Sequence, residues 1–162
     1  MSDEQSQAGE QAQQKFEIQK IYLKDVSFEA PNTPAVFTDQ WQPEVNVQLN
    51  TDGKPVGDKV YEVVLSITVT AENKGKNAFL VEIQQAGVFS LDGFEPEQLN
   101  GMLGSFCPDI LFPYAREAIS DLVTRGGFPQ MLLAPVNFDV LYQQHLATQQ
   151  AEQGQAETLT TH

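Results

Sequence analysis

The chain has 162 residues, 41% of them hydrophobic, and a formal net charge of −13. That length suits one domain with a buried core, and nine basic residues against 22 acidic ones argue against nucleic acid or an anionic membrane as partner. Acidity of this size serves either solubility alone or a basic partner. The single cysteine, Cys107, excludes an intramolecular disulfide and fits a reducing compartment.

The N-terminus, "MSDEQSQAGEQAQQ", has neither a positive start nor an apolar stretch, so it reads as a disordered tail over 1–14 and not as a secretion signal. No apolar run approaches the roughly 18–20 residues of a membrane helix, so no direct membrane insertion is expected and the location is read as cytoplasmic. The folded domain is expected over 15–150, followed by a second disordered tail, "AEQGQAETLTTH", over 151–162.

The first strand is irregular. Phe16 and Ile18 are even, Ile21 and Leu23 odd, Val26 and Phe28 even again, and such parity slips are how β-bulges look in sequence. An irregular link, "APNTPAVFTDQWQP" (30–43), leads to "EVNVQLN", and "TDGKPVGD" reads as the next turn. In "VYEVVLSITVTAE" the odd positions from Tyr61 to Ala71 are all apolar, a period of two. "NAFLVEIQQAGVFSL" repeats that pattern, and the polar, glycine-containing "ENKGKN" joins the two as a hairpin.

Helix signals follow. Leu99, Met102, Leu103, Phe106 and Cys107 form one helical stripe, with Pro96 in its first turn and Pro108 expected to end it. A second helix is expected from about Ile110 to Arg125, with Ala115, Ile119 and Leu122 buried and Gly126–Gly127 as its stop. A third begins at Asn137, a good N-cap, with Phe138, Leu141, Tyr142 and His145 on one side. Strands first and helices afterwards indicate an α+β fold, a four-stranded antiparallel sheet with helices packed on one face.

Catalytic patterns are few. The chain has no glycine-rich phosphate loop, no nucleophile elbow and no histidine or cysteine cluster with metal spacing, so no metal, no cofactor and no enzyme activity are expected. Cys107 and His145 could form a nucleophile–base pair, but a cysteine on an apolar helix stripe is ordinarily a core residue. Two connections carry more large apolar groups than loops should: Val36, Phe37 and Trp41 in the first, Phe128, Met131, Leu132 and Leu133 in "GGFPQMLLAPV". They either fold into the core or form an exposed groove. On the polar face of the sheet, Asp25, Glu29, Glu82 and Leu80 either share one patch with Glu62 or are scattered surface groups.

The segments "KDVSFEAPNTP", "WQPEV", "YEVVLSITVTA", "CPDILFPYARE" and "FPQMLLAPVNFDVLY" occur in this order, and through them the chain resembles the SecB protein-export chaperone family from about Phe16 to Tyr142. The resemblance implies an ATP-independent holdase that keeps unfolded precursor proteins from folding in the cytosol and delivers them to SecA, the translocation ATPase. It implies a homotetramer, a dimer of dimers. It assigns a client groove to Phe37, Trp41, Phe128, Met131 and Leu132, and an acidic SecA-binding face to Asp25, Glu29, Leu80 and Glu82. The zinc of that contact belongs to SecA, so no metal site is implied here. Val81, Ile83, Gln85, Met102 and Phe106 are assigned to the oligomer interface. The competing reading is a carrier or enzyme for apolar small ligands or lipids, which would need a closed pocket about one ligand wide.

Overall fold

The two alternating runs become the middle of the sheet. In the computed structural model, which describes residues 13–159, β1 (Lys15–Glu29), β2 (Pro43–Gly57), β3 (Val60–Asn73) and β4 (Lys76–Asp92) form one antiparallel sheet in the order β1-β4-β3-β2. Lys74 and Gly75 turn β3 into β4, both with the positive φ that a tight hairpin turn needs. β2 does not turn at "TDGKPVGD" as expected. It runs on to Gly57, and Asp58 and Lys59 make the turn. β2 is an edge strand, where a proline such as Pro55 can be tolerated.

β1 carries the expected irregularities as register shifts between Ile18 and Lys20 and between Leu23 and Asp25. Each inserts one residue, so the alternation resumes on its original side. Phe16, Ile18, Ile21, Leu23, Val26 and Phe28 therefore all stand opposite inward-facing positions of β4.

Helices cover that inward face. α1 (Pro96–Gly101) leads through a π-helical turn (Met102–Phe106) directly into α2 (Cys107–Arg125). Pro108 was expected to end a helix here, and it does not. The Cys107 amide donates to the carbonyl of Met102, five residues back, and this wider turn carries the backbone past a proline that lacks an N–H of its own. The segment "CPDILFPYARE" is thus the start of α2 and not a junction between two helices. Pro113 lies inside α2 on its exposed side.

α2 packs against β4 and β3 through Cys107, Leu111, Ala115, Ile119 and Val123, one stripe at intervals of four, all fully buried. Leu122, expected in the stripe, lies at its margin, half-buried. Gly126 caps the helix as expected.

α3 (Phe138–Leu159) starts where Asn137 accepts the Val140 amide on its side-chain oxygen at 3.1 Å, the N-cap bond read from the sequence. The disorder expected from residue 151 is overturned as far as Leu159. The stretch 151–158 is exposed but helical, because its alanine, glutamate and glutamine residues favour a helix already started by the packed residues before them. Residues 160–162 and most of the 1–14 tail lie outside the described residues; Gln13 and Gln14 lead into β1 without regular structure. Among the described residues, no helix is long and apolar enough to cross a membrane.

Candidate functional site

Because β1 and β2 lie at opposite edges, the link between them must cross the end of the β3–β4 hairpin. Asn32 donates from its side chain to the Asn77 carbonyl at 2.8 Å and so ties the beginning of the link to the hairpin. A single 3₁₀ turn (Ala35–Thr38) then sends neighbouring side chains opposite ways: Val36 is buried and Phe37 is 49% exposed. At the end of the link, Asn73 accepts the Gln42 amide at 2.9 Å and donates to the Gln40 carbonyl at 3.1 Å.

The link after α2 meets this crossover. The Phe128 ring stands 5.2 Å from Phe37, 5.5 Å from Trp41 and 5.1 Å from Phe79, and Phe79 stacks on Phe28 at 6.1 Å. The turn approaches two rings too closely for side chains. A Cβ on Gly126 would lie 2.3 Å from the Phe28 ring, and one on Gly127, whose φ is +89°, would lie 3.2 Å from Phe37.

Both readings of these links apply, each to different residues. Val36, Phe128 and Leu133 are core; Phe37 and Leu132 are exposed; Trp41 and Met131 are half-buried between them. Of the five residues assigned to the groove, Phe128 is corrected. At 4% exposure it is the floor beneath Phe37 and Trp41, since it fills the gap between both links and Phe79. Leu132 lies over the outer side of α2, in an open cleft with Pro113 and Arg116.

The outer face of the sheet collects the second set. Glu29 stands opposite Leu80, Ser27 opposite Glu82 and Asp25 opposite Gln84, with Thr70, Thr68 and Ser66 next to them on β3. Asp25 reaches this face only because the bulge before it restores the alternation. All three carboxylates are exposed, and among the described residues none of them takes part in a salt bridge. The result is a flat block of Ser, Thr, Gln and acid groups around one leucine, suited to a cationic partner.

Glu62, expected in the same patch, stands apart from it. It is buried, accepts hydrogen bonds from the Tyr22 hydroxyl and from Lys24 at 2.9 Å, and has Lys54 at 3.6 Å. The bonds from Tyr22 and Lys24 hold its carboxyl below the usual range, while burial and the Glu62 bond push the Tyr22 hydroxyl up to about 12. A depressed carboxyl adds stability above its unfolded pKa and loses it as the pH falls through its folded one. Glu62→Gln should therefore cost about 1–3 kcal/mol at pH 7. In urea titrations the gap to the parent should narrow as the pH falls below the ordinary carboxylate range, and a gap that stays constant through acidification would rule out the charge as its source.

Three of the residues assigned to the oligomer interface are corrected. Val81, Ile83 and Gln85 are at most 3% exposed in the single chain. They occupy the odd positions of β4, which face α2, and Gln85 donates to the Tyr22 carbonyl at 3.1 Å, so none is free to meet a second copy. Met102 and the 47% exposed Phe106 do line an open cleft of about 910 Å³ with Phe94, Val136 and Tyr142. Along β1, Ile18, Leu23 and Val26 are left exposed, because α2 packs chiefly on β4 and β3.

Cys107 is fully buried, and burial pushes its thiol up to about 12, far from the thiolate a nucleophile needs. His145 is exposed and hydrogen-bonds to Gln149 at 3.0 Å. The three principal clefts lined by described residues open to solvent, unlike the closed pocket that a small-ligand carrier requires.

Sequence reasoning missed Asn73, Asn32 and the two rings below the groove, Phe28 and Phe79. Asn73 belongs to "ENKGKN" and reads as an ordinary turn residue; the phenylalanines read as ordinary strand core.

The family model for preprotein translocase subunit SecB matches residues 9–149. The protein-export protein SecB of Hahella chejuensis is 56% identical over 85% of this chain and 87% of its own. That of Marinobacter nauticus is 53% identical over 100% of both chains. Among solved structures, the Mycobacterium tuberculosis Rv1957 SecB-like chaperone, in complex with a ChAD peptide from the Rv1956 HigA1 antitoxin, superposes with a TM-score of 0.63 at 18% identity. That superposition covers 75% of this chain and 90% of that one, a likeness of fold. With four antiparallel strands under one layer of helices, and a family match across nearly all of it, the chain belongs to the SecB family.

Proposed function

We propose that this protein is an ATP-independent export chaperone that holds unfolded precursor proteins on its aromatic groove and passes them to SecA through its acidic sheet face. The observation that carries this reading is the half-open cluster of Phe37 and Trp41 on the Phe128 floor, a platform of large apolar groups reachable from water. Each apolar side chain of a client buried there contributes roughly 1.5–3 kcal/mol, so a few contacts offset the cost of association without nucleotide. The platform acts on clients in general because it offers area and no patterned hydrogen bonds. A client kept in its unfolded form is drawn away from folding by mass action. The peptide complex of the SecB-like chaperone from Mycobacterium tuberculosis supports a fold of this kind holding polypeptide.

Assembly into a homotetramer is part of the proposal. The uncovered apolar groups of β1 and the exposed Phe106 supply surface for it. A long client crossing several grooves would then gain effective concentration at each further contact. We place the protein in the cytosol, where precursors wait for export.

Dilution of a denatured protein into this chaperone, with no nucleotide present, tests the reading. Light scattering should fall toward zero as chaperone is added. Undiminished aggregation, or native mass spectra with a stoichiometric lipid in the cleft, would overturn it. For the SecA contact, Glu82→Lys should weaken binding roughly ten-fold at low salt, and the loss should shrink as salt screens the face. An unchanged affinity at low salt would remove Glu82 from the contact.

A further inference from the structure

We infer that Asn73 is the positioning residue of the client site and that it works by bracketing Trp41, an inference that rests on the function proposed above. Asn73 is the last residue of β3 and is fully buried. Its side-chain amide meets the peptide groups on both sides of the tryptophan, donating to the Gln40 carbonyl at 3.1 Å and accepting the Gln42 amide at 2.9 Å. The pairing of β2 with β3 begins only at Pro43, opposite Asn73 itself, so the backbone beside Trp41 has no strand neighbour there. The asparagine amide supplies that missing rung from its side chain. Only a group with one donor and one acceptor at this spacing can do so: aspartate lacks the donor and leucine lacks both.

What the clamp achieves follows from the rest of the link. Its beginning is tied by Asn32 to the Asn77 carbonyl, and its middle is anchored by buried Val36. Trp41 itself is only half-buried, and among the described residues its ring neighbour is Phe128. Without the clamp the indole would have to be ordered by each arriving client, and that ordering would be subtracted from affinity. With it, the platform is set before the client arrives. The same hairpin carries Leu80 and Glu82 on its outer side, yet the clamp touches neither, so the acidic face should not respond to its loss.

Trp41 is the sole tryptophan, so its fluorescence reads the clamp directly in the full chain. The test compares the parent with Asn73→Ala, Asn73→Asp and a control, Val63→Ala, which truncates a buried residue near the other end of β3. All are measured well below their melting temperatures. Time-resolved anisotropy and acrylamide quenching report on the free protein; binding of a reduced and alkylated protein, unable to fold, reports on the site. Asn73→Ala should free the indole for local motion, raise its quenching and weaken the unfolded probe about five- to ten-fold. Val63→Ala should lower the melting temperature and change neither readout. Should Asn73→Ala fail to fold, Asn73→Asp keeps the acceptor and tests the donor half in the same way. An indole as immobile and as shielded as in the parent would overturn the inference, and so would a freed indole with unaltered affinity. If the parent itself ignores the probe, the proposed function fails, while the fluorescence still decides the clamp.

Discussion

Phe128→Ala should cost about 3–5 kcal/mol of stability, the usual range for removing a buried phenylalanine from a core that cannot close over the gap. The ring touches Phe37, Trp41 and Phe79 at centroid distances of 5.1–5.5 Å, so its loss opens a void beneath both links at once. The melting temperature should fall by roughly 10 °C in calorimetry. The change should also damage the groove in molecules that remain folded, since Phe37 and Trp41 lose the surface on which they lie. Client affinity measured well below the new midpoint should therefore fall too. Phe128→Leu, which fills much of the volume, should recover most of both losses. A stability near that of the parent in Phe128→Ala would show that the floor is not built as described.

The second large effect separates binding from folding. Trp41→Ala removes a half-buried side chain, so its stability loss should be well below that of Phe128→Ala. Its effect on a permanently unfolded client should be roughly 10- to 100-fold, the worth of one large aromatic contact surface. Under the proposed function, affinity for SecA should stay within error, because the face proposed for it (Asp25, Glu29, Leu80 and Glu82) lies on the opposite side of the sheet. Titration of fluorescently labelled client and of SecA against the same variant decides the matter. Equal losses for both ligands would mean that the two surfaces are not independent.

Much of this molecule could be read from residue order. The alternation in β3 and β4 states their facing outright, and even the bulges of β1 appear as parity slips between Ile18 and Ile21 and between Leu23 and Val26. The start of α3 at Asn137 and the end of α2 at Gly126–Gly127 follow from local chemistry. What misled was proline. Pro108 looks like a stop, and Pro55 looks like part of a turn, yet one is passed by a widened helical turn and the other sits on a sheet edge. Both outcomes depend on surroundings that a local pattern does not hold.

The site divides in the same way. The excess of apolar groups in the links was visible, and so was the choice between core and groove. Which residue went which way was not, because a single 3₁₀ turn and the reach of Asn73 from another strand decide it. The acidic face was legible once strand parity was known, whereas Glu62 left it through Lys24 and Lys54, which approach from the strands at either edge. Val81, Ile83 and Gln85 share the inward parity of Phe79 and Phe89, and that periodicity alone places them beneath α2.

The π turn between Met102 and Phe106 also sets the rotational phase of the two halves of the long helix. It spends one residue more than an α-helical turn would, and each residue advances a helix by about 100°. Shortening it by one would swing Leu111, Ala115, Ile119 and Val123 a quarter-turn or more off the sheet relative to the half that carries Met102, and would set Pro108 against the carbonyl one regular turn earlier. Gly104, in the middle of the turn, leaves no room for a Cβ beside the Tyr142 ring, so the docking of α3 is tuned to the same step. A one-residue insertion or deletion, harmless in most loops, is at this point a change of gear for three elements together.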